Sequence, residues 1–395
     1  MALQPWLPQG GVNLFQEIKR VRSEAEKNGV KILNLSIGQP RGPALLKARE
    51  AASEAVMSDE ESMHEYQDNG SPGVPDFARR FVAWHVNSQV VETNGLDFLS
   101  IPGIKSMLGA IPEACGLVGH SGSVLTTTNP GYPTPADRCR AKLIIPQEPK
   151  LHPGNGFLFT VGEVGQSVRL IMTNYPHNPS GQIATRGWWE RVCSFCESKG
   201  IRIFNDAAYF GLNYNPESEC LANVAIKFPN LSWAEAYSAS KIIGNGTGWR
   251  VGAMVGSSDL ISDIEKIKGN IDSGFVAFAA AGALHALETD PEGIKGVRET
   301  YRHRLKVLIE CLEVSCDMQL AVQPGAGFFT LWKVPKRAFG EEMRDAEHFN
   351  YTMIERTGVV GVHFNPDYNR YAVCGDVDSM LPEIYRAFKQ AAVEY

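Results

Sequence analysis

An α/β fold with a mostly parallel sheet is predicted from three observations. From about residue 97 onward, short apolar segments alternate with helical ones over some 150 residues. Runs such as VRLIM are apolar at successive positions, as strands covered on both faces must be. Polar clusters follow several of these segments, at the carboxyl ends where open α/β sheets bind ligands. Together they predict a three-layer α/β/α large domain with a mostly parallel seven-stranded sheet. The α+β character of the tail predicts a small second domain, joined by the N-terminal segment. The boundaries expected are 46–299 for the large domain, and 1–45 with 300–395 for the small, discontinuous one.

The elements follow in order. VNLFQEIKRVRSEAEKNGV has helical spacing and stops at Gly29. KILNLSIGQP reads as a strand entering a turn, and residues 43–58 as a helix. A loop around DNGSPG precedes another helix at 74–87. Strands are expected at 97–101, 123–128, 142–146, 168–174, 201–206, 233–240 and 251–257, with helices at 105–117 and 186–199 between them. Phe275 to Ala286 reads as a buried helix. A long helix at 291–315, strands at 318–323, 327–334 and 370–374, and a helix at 379–393 complete the chain.

Composition narrows the function. The 395 residues are 44% apolar and 21% charged, ordinary for a soluble globular protein. A net charge of −6 offers no basic excess for a phosphate backbone, so nucleic acid is not an expected partner. No apolar run approaches the ~18 residues that a membrane span needs. Eight cysteines are too few for a disulfide scaffold, and the single C-x-x-C, Cys193 and Cys196, has no partner pair to complete a zinc set. The opening MALQPWLPQGGVNLF lacks the basic-then-apolar pattern of a secretory signal. The cysteines read as ordinary buried or half-buried thiols of a reducing compartment, so a cytoplasmic location is expected.

Four segments could carry chemistry. VRLIMTNYPHNPSGQ runs from a strand into Asn178-Pro179-Ser180-Gly181, material equally suited to a plain turn. IRIFNDAAYFGL ends its strand at Asp206, ahead of Tyr209; a helix N-cap would use the same aspartate. AEAYSASKIIGNGTGWRVGAMVG places Lys241 among serines and apolar residues at a strand end. Desolvation there would lower its pKa and make it a nucleophile or base. The glycines after it make neither a P-loop nor a dinucleotide fingerprint, since they lead into a strand. HFNPDYNRYAVCGD sets Arg370 at the start of an apolar strand, where a buried guanidinium would need an anion such as a carboxylate.

NPGYP, NYPHNPSG, DAAY, SASK…GWRVG and the late arginine, in this order, resemble the class I/II aminotransferases of the fold type I pyridoxal-phosphate enzymes, the aspartate aminotransferase-like group. The resemblance runs from about Gly38 to Arg370. It implies pyridoxal 5′-phosphate as cofactor, with Lys241 forming the internal aldimine and then moving the proton. It implies Asp206 at the pyridine nitrogen, and Asn178 and Tyr209 at the phenolic oxygen. Ser238, Arg250 and the Gly103-Ile104-Lys105 turn would hold the phosphate. Tyr132 would stack on the ring, and Tyr66 would reach a neighbour's phosphate across a homodimer interface. Gly38 would lie against the substrate, and Arg370 would take its α-carboxylate. Two departures stand out. The stretch from Lys241 to Arg250 is one residue longer than usual, so the loop must bulge. IPGIK also replaces the usual glycine pair.

The implied activity is transfer of an amino group from an L-amino acid to a 2-oxo acid by a ping-pong mechanism. A fold type I lyase, eliminating at the β-carbon or cleaving carbon–sulfur bonds, is the nearest alternative. A cofactor-binding regulator is a further one, although no segment remains for a helix-turn-helix. A second arginine for a dicarboxylic substrate has no motif to place it; Arg41 is the candidate.

Overall fold

The structure, a computed structural model, describes residues 14–68 and 72–395. Val12 and Asn13 of the opening helical pattern, and residues 69–71 of the loop expected around DNGSPG, lie outside them.

Seven strands form the main sheet: β1 Leu96–Ile101, β2 Ser123–Thr126, β3 Ile145–Gln147, β4 Val168–Thr173, β5 Arg202–Asp206, β6 Trp233–Ser238 and β7 Gly252–Ser257. Their order is β1-β7-β6-β5-β4-β2-β3. β7 is antiparallel to both neighbours, and the remaining pairs are parallel. Alternate side chains enter separate cores. Leu125, Ile171, Ile203 and Val255 join one, while Val124, Leu170, Phe204 and Met254 join the other. The first is covered by helices Arg186–Lys199 and Ala277–Thr289, the second by helix Ser258–Lys268. Each fully buried side chain of this kind contributes on the order of 1.5–3 kcal/mol, so a sheet buried on both faces is a rigid base for the residues at its edge.

A smaller α+β part is built from both ends of the chain. Leu33–Asn34 pairs in parallel with Val359–Val360. β8 Phe329–Lys333, β9 Val362–Phe364 and β10 Tyr368–Ala372 form an antiparallel sheet with β10 central. Helix α1, Leu14–Lys27, buries Ile18, Val21 and Ala25 against Ile354, Val360 and Val362. Helix Pro291–Ile309 runs continuously through the boundary expected at residue 299; Asp290 caps it by accepting from the Gly293 N–H.

Several expectations shift for local reasons. The single helix at 105–117 is two, Ile104–Met107 and Ala110–Ala114. Pro112 has no N–H to give Leu108, and its ring disfavours a continuous helix there. β3 starts at Ile145 because Leu143 turns the chain at φ 60° and is exposed. The strand at 318–323 reduces to one bridge from Leu320 to Trp332, as the chain turns at Pro324 and the Gly325 N–H bonds to Gly181. β6 ends at Ser238, and residues Ala239–Ile242 form a helical turn instead. Arg370 lies at the centre of β10, between Val362 and Leu331, and not at a strand start.

Candidate active site

The carboxyl ends of the parallel strands meet one edge, and β7 begins there because it runs the opposite way. Gly252 lies abreast of both Ile101 and Ser238. The segments after β1, β2, β4, β5 and β6, and the one before β7, therefore face a common cavity of about 790 Å³. Ile104, Lys105, Tyr132, Asn178, Asp206, Tyr209, Ser238, Lys241 and Arg250 line it from the large sheet. Gly38 and Arg370 reach it from the smaller part.

Asp206 is buried, and one carboxylate oxygen accepts from the Ala208 N–H at 3.1 Å. Burial raises its pKa to about 6, against the opposing pull of that N–H and of Lys241. It has no ion pair with a cation among the described residues. Lys241 follows on the turn after β6 and donates to the Gly38 carbonyl at 2.9 Å. Burial lowers its ammonium to about 8, with Arg250 and Arg370 adding to the fall and Cys374 and Asp206 opposing it. Tyr209 packs edge-on against Phe328 and Phe329, each at 5.5 Å, and burial pushes its phenol up.

At the other end, Ser238 bonds to the Ser240 hydroxyl at 2.9 Å and accepts from its N–H at 3.2 Å. The longer loop closes through a 3₁₀ turn, Thr247–Trp249, into Arg250 at φ 56°. Arg250 donates to the Thr247 and Pro102 carbonyls at 3.0 and 3.2 Å. Its guanidinium crosses Gly103, where a Cβ would stand 2.5 Å from a terminal nitrogen. Gly103 itself has φ 78° and ψ 154°, a conformation essentially reserved to glycine. The IPGIK departure thus keeps glycine at the position where both backbone and neighbour require it. Lys105 stands 6.0 Å above the Tyr132 ring.

Arg370 is 2% exposed. It donates to Asn178 Oδ1 at 2.9 Å and to the Ser36 carbonyl at 2.8 Å, and its guanidinium lies 4.2 Å above the Phe329 ring. No carboxylate pairs with it among the described residues, and burial lowers its pKa to about 10. Gly38 packs beneath Phe329, which a Cβ would approach to 3.1 Å.

Gly103 meets the cavity only through Ile104 and Arg250 beside it, and Tyr66 stands apart from the site. Tyr66 is 75% exposed and does not line this cavity. Arg41 lines a different hollow, beside Arg304. Ser36, Asn174 and Phe329 line the site without having been singled out in the sequence. Asn174 ties two strand ends together, donating to the Asp206 carbonyl at 2.8 Å and accepting from the Asn178 N–H at 3.0 Å. Its place directly after β4, at the binding edge, was the available signal. Cys193 and Cys196 are buried free thiols on the helix Arg186–Lys199, and burial raises both. No group of three His, Cys, Asp or Glu among the described residues could hold a metal.

The model of the family "Aminotransferase class I and II" matches residues 30–374. An LL-diaminopimelate aminotransferase of Syntrophobacter fumaroxidans is 30% identical over 320 residues, covering 76% of each chain. One from Desulforudis audaxviator is 28% identical, covering 88% of this chain and 86% of its own. The fold is also that of substrate-bound BacF from Bacillus subtilis, at a TM-score of 0.83 and 21% identity over 100% of this chain and 99% of that one.

Proposed function

We propose, from the premise that this chain belongs to the class I and II aminotransferases, that it moves an amino group from an L-amino acid to a 2-oxo acid by a ping-pong mechanism. One observation carries this reading. A desolvated lysine, a buried carboxylate and a buried arginine with no carboxylate partner among the described residues face one cavity, with a second arginine crossing a glycine turn at its far end.

These residues fit pyridoxal 5′-phosphate, which when bound supplies a sink for the electron pair of the substrate Cα–H bond. Asp206, with no ion pair among the described residues, would hold a proton on the ring nitrogen, and that charge would in turn keep the carboxylate ionised. Arg250, Ser238 and the backbone at Gly103–Lys105 would take the phosphate, and Tyr132 would cover the ring face. Arg370 occupies the Asn178 carbonyl oxygen, which leaves the amide N–H groups to donate toward the phenolic oxygen, beside the Tyr209 hydroxyl. Lys241 would anchor the cofactor and then carry the proton at Cα. An amine held near 8 can both accept and release a proton close to neutral pH. Arg370 would bind the α-carboxylate, its plane already fixed by Asn178, Ser36 and Phe329. The same residues serve both half-reactions, because amino donor and 2-oxo acceptor share that carboxylate.

The reading extends to a homodimer in the cytoplasm. The exposure of Tyr66 outside its own chain's cavity supports a role in a neighbour's site, and all eight cysteines are free, as a reducing compartment keeps them. The test is a panel of amino donors, including LL-diaminopimelate for which the matched relatives are named, followed by absorbance of the bound cofactor and by product analysis. Stoichiometric 2-oxo acid without ammonia supports transamination. Ammonia and a cleaved carbon–sulfur bond would move the assignment to a lyase.

A further inference from the structure

The helix Pro291–Ile309 does not end as an α-helix. It widens into a π-turn over Glu310–Val314 before Ser315, Cys316 and the left-handed Asp317 close it. Cys311 lies within that turn and is half-buried; Cys316 lies just past it and is 3% exposed. On a regular α-helix, residues five apart stand roughly 140° apart, with Cα atoms about 8.7 Å from each other. That exceeds the ~7 Å within which two cysteines can be bridged. A π-turn closes i→i+5 instead and draws such residues toward one face. The two thiols do meet here, in a hydrogen bond from Cys316 to the Cys311 sulfur. Cys316 also points at the Tyr385 carbonyl of the helix Val377–Ala391, at 3.9 Å. The shared hydrogen bond holds Cys311 below the ordinary thiol range, and the same bond, with burial, pushes Cys316 up. All eight cysteines lie among the described residues, and burial raises each of the other six. Cys193 and Cys196, although neighbours on one helix, are both buried and both raised, so neither serves as a nucleophile.

We propose that Cys311 and Cys316 form a peroxide-reactive dithiol, in which the more accessible Cys311 attacks, the buried Cys316 resolves, and a reversible disulfide closes at the end of this helix. The Cys311 thiolate attacks one oxygen of hydrogen peroxide. An S–O bond forms, the O–O bond breaks, and the departing hydroxide takes a proton to become water. Cys311 is thereby oxidised by two electrons to a sulfenic acid. The Cys316 sulfur then attacks the Cys311 sulfur, the S–S bond forms, and the S–O bond breaks. The leaving hydroxide carries off the Cys316 proton as a second water. Two thiols and one peroxide thus give one disulfide and two waters. A thiol pool reopens the bridge, which a reducing compartment supplies. Neither cysteine lines the cavity around Lys241, so the modification stands apart from amino transfer and does not rest on that reading.

The experiment treats the native holoenzyme with graded hydrogen peroxide, alkylates the remaining thiols, digests with trypsin and weighs the peptides. The stretch between Lys306 and Lys333 contains Cys311 and Cys316 and no other cysteine. It should be the first peptide to escape alkylation, lighter by the two hydrogens of a disulfide, and dithiothreitol should restore both thiols. Dimedone, which captures sulfenic acids, should label Cys311 in Cys316→Ser at least about ten-fold faster than it labels Cys316 in Cys311→Ser. Oxidation of another cysteine ahead of this pair would overturn the proposal. So would a Cys311 that runs to sulfinic acid in the wild type without bridging, or equal labelling of the two single variants. Should a serine variant fail to fold, the wild-type peptide map decides alone.

Discussion

Replacing Arg370 with methionine separates two energies that this residue combines. Burial lowers its pKa from 12.5 to about 10, an unfavourable contribution on the order of 3 kcal/mol in the protein without substrate. Methionine removes that cost and fills much of the volume over Phe329. It also leaves Asn178 Oδ1 and the Ser36 carbonyl without a donor, at roughly 1–3 kcal/mol each. The two effects largely offset one another, leaving a net loss of at most about 3 kcal/mol, so Tm should fall by no more than several degrees. Catalysis has no such compensation. A substrate carboxylate left unpaired in a closed site costs roughly 2–5 kcal/mol, or about 30- to several-thousand-fold in kcat/KM. The assay is the half-reaction with an amino donor, read from the absorbance of the bound cofactor, beside thermal melts of the same preparations. Cofactor affinity should stay near normal. Arg370→Lys should recover little, since an ammonium lacks the two-pronged geometry. Melts that collapse while kcat/KM stays within a few-fold would show that Arg370 packs the small sheet and does not bind substrate.

Other predictions address the cofactor end, the buried acid and the assembly. Gly103→Ala should weaken pyridoxal-phosphate binding about ten-fold or more, measured by equilibrium dialysis, because a Cβ strains the backbone and displaces Arg250. The donor preference should not change. Asp206 is raised from 3.8 to about 6, so its folded form holds the proton more tightly than the unfolded chain does. The cofactor-free protein should therefore lose stability as pH rises from about 4 through 6. Asp206→Asn should flatten that dependence and raise Tm at pH 7.5, yet cut turnover sharply. A wild-type melt independent of pH across that range would contradict this. Tyr66→Phe should weaken cofactor binding in a dimer, and sedimentation should show no fully active monomer.

The sheet was legible because its physics is local. Strands buried on both faces need apolar runs, and VRLIM and IRIF supply them between turn residues. Much of the cavity was legible because polar side chains at or just after strand ends line it, as Asp206 and Lys241 do. Elements that depend on distant partners were not. Helices Ser258–Lys268 and Ala346–Thr357 were passed over, and the strand expected at 318–323 found only one bridging partner. The depth of Arg370 also depends on pairing with Val362 and Leu331 from two separate segments. Asn174 and Ser36 act through contacts that only folding creates.

The most direct test of the central claim is where the cofactor attaches. The purified holoenzyme is reduced with borohydride, digested, and mapped by mass spectrometry for the pyridoxyl label. The account predicts the label on Lys241 alone. It also predicts that Lys241→Ala keeps the cofactor only by dialysable contacts and loses turnover by several orders of magnitude. A label on another lysine, or a Lys241→Ala protein that still turns over amino donors, would contradict it.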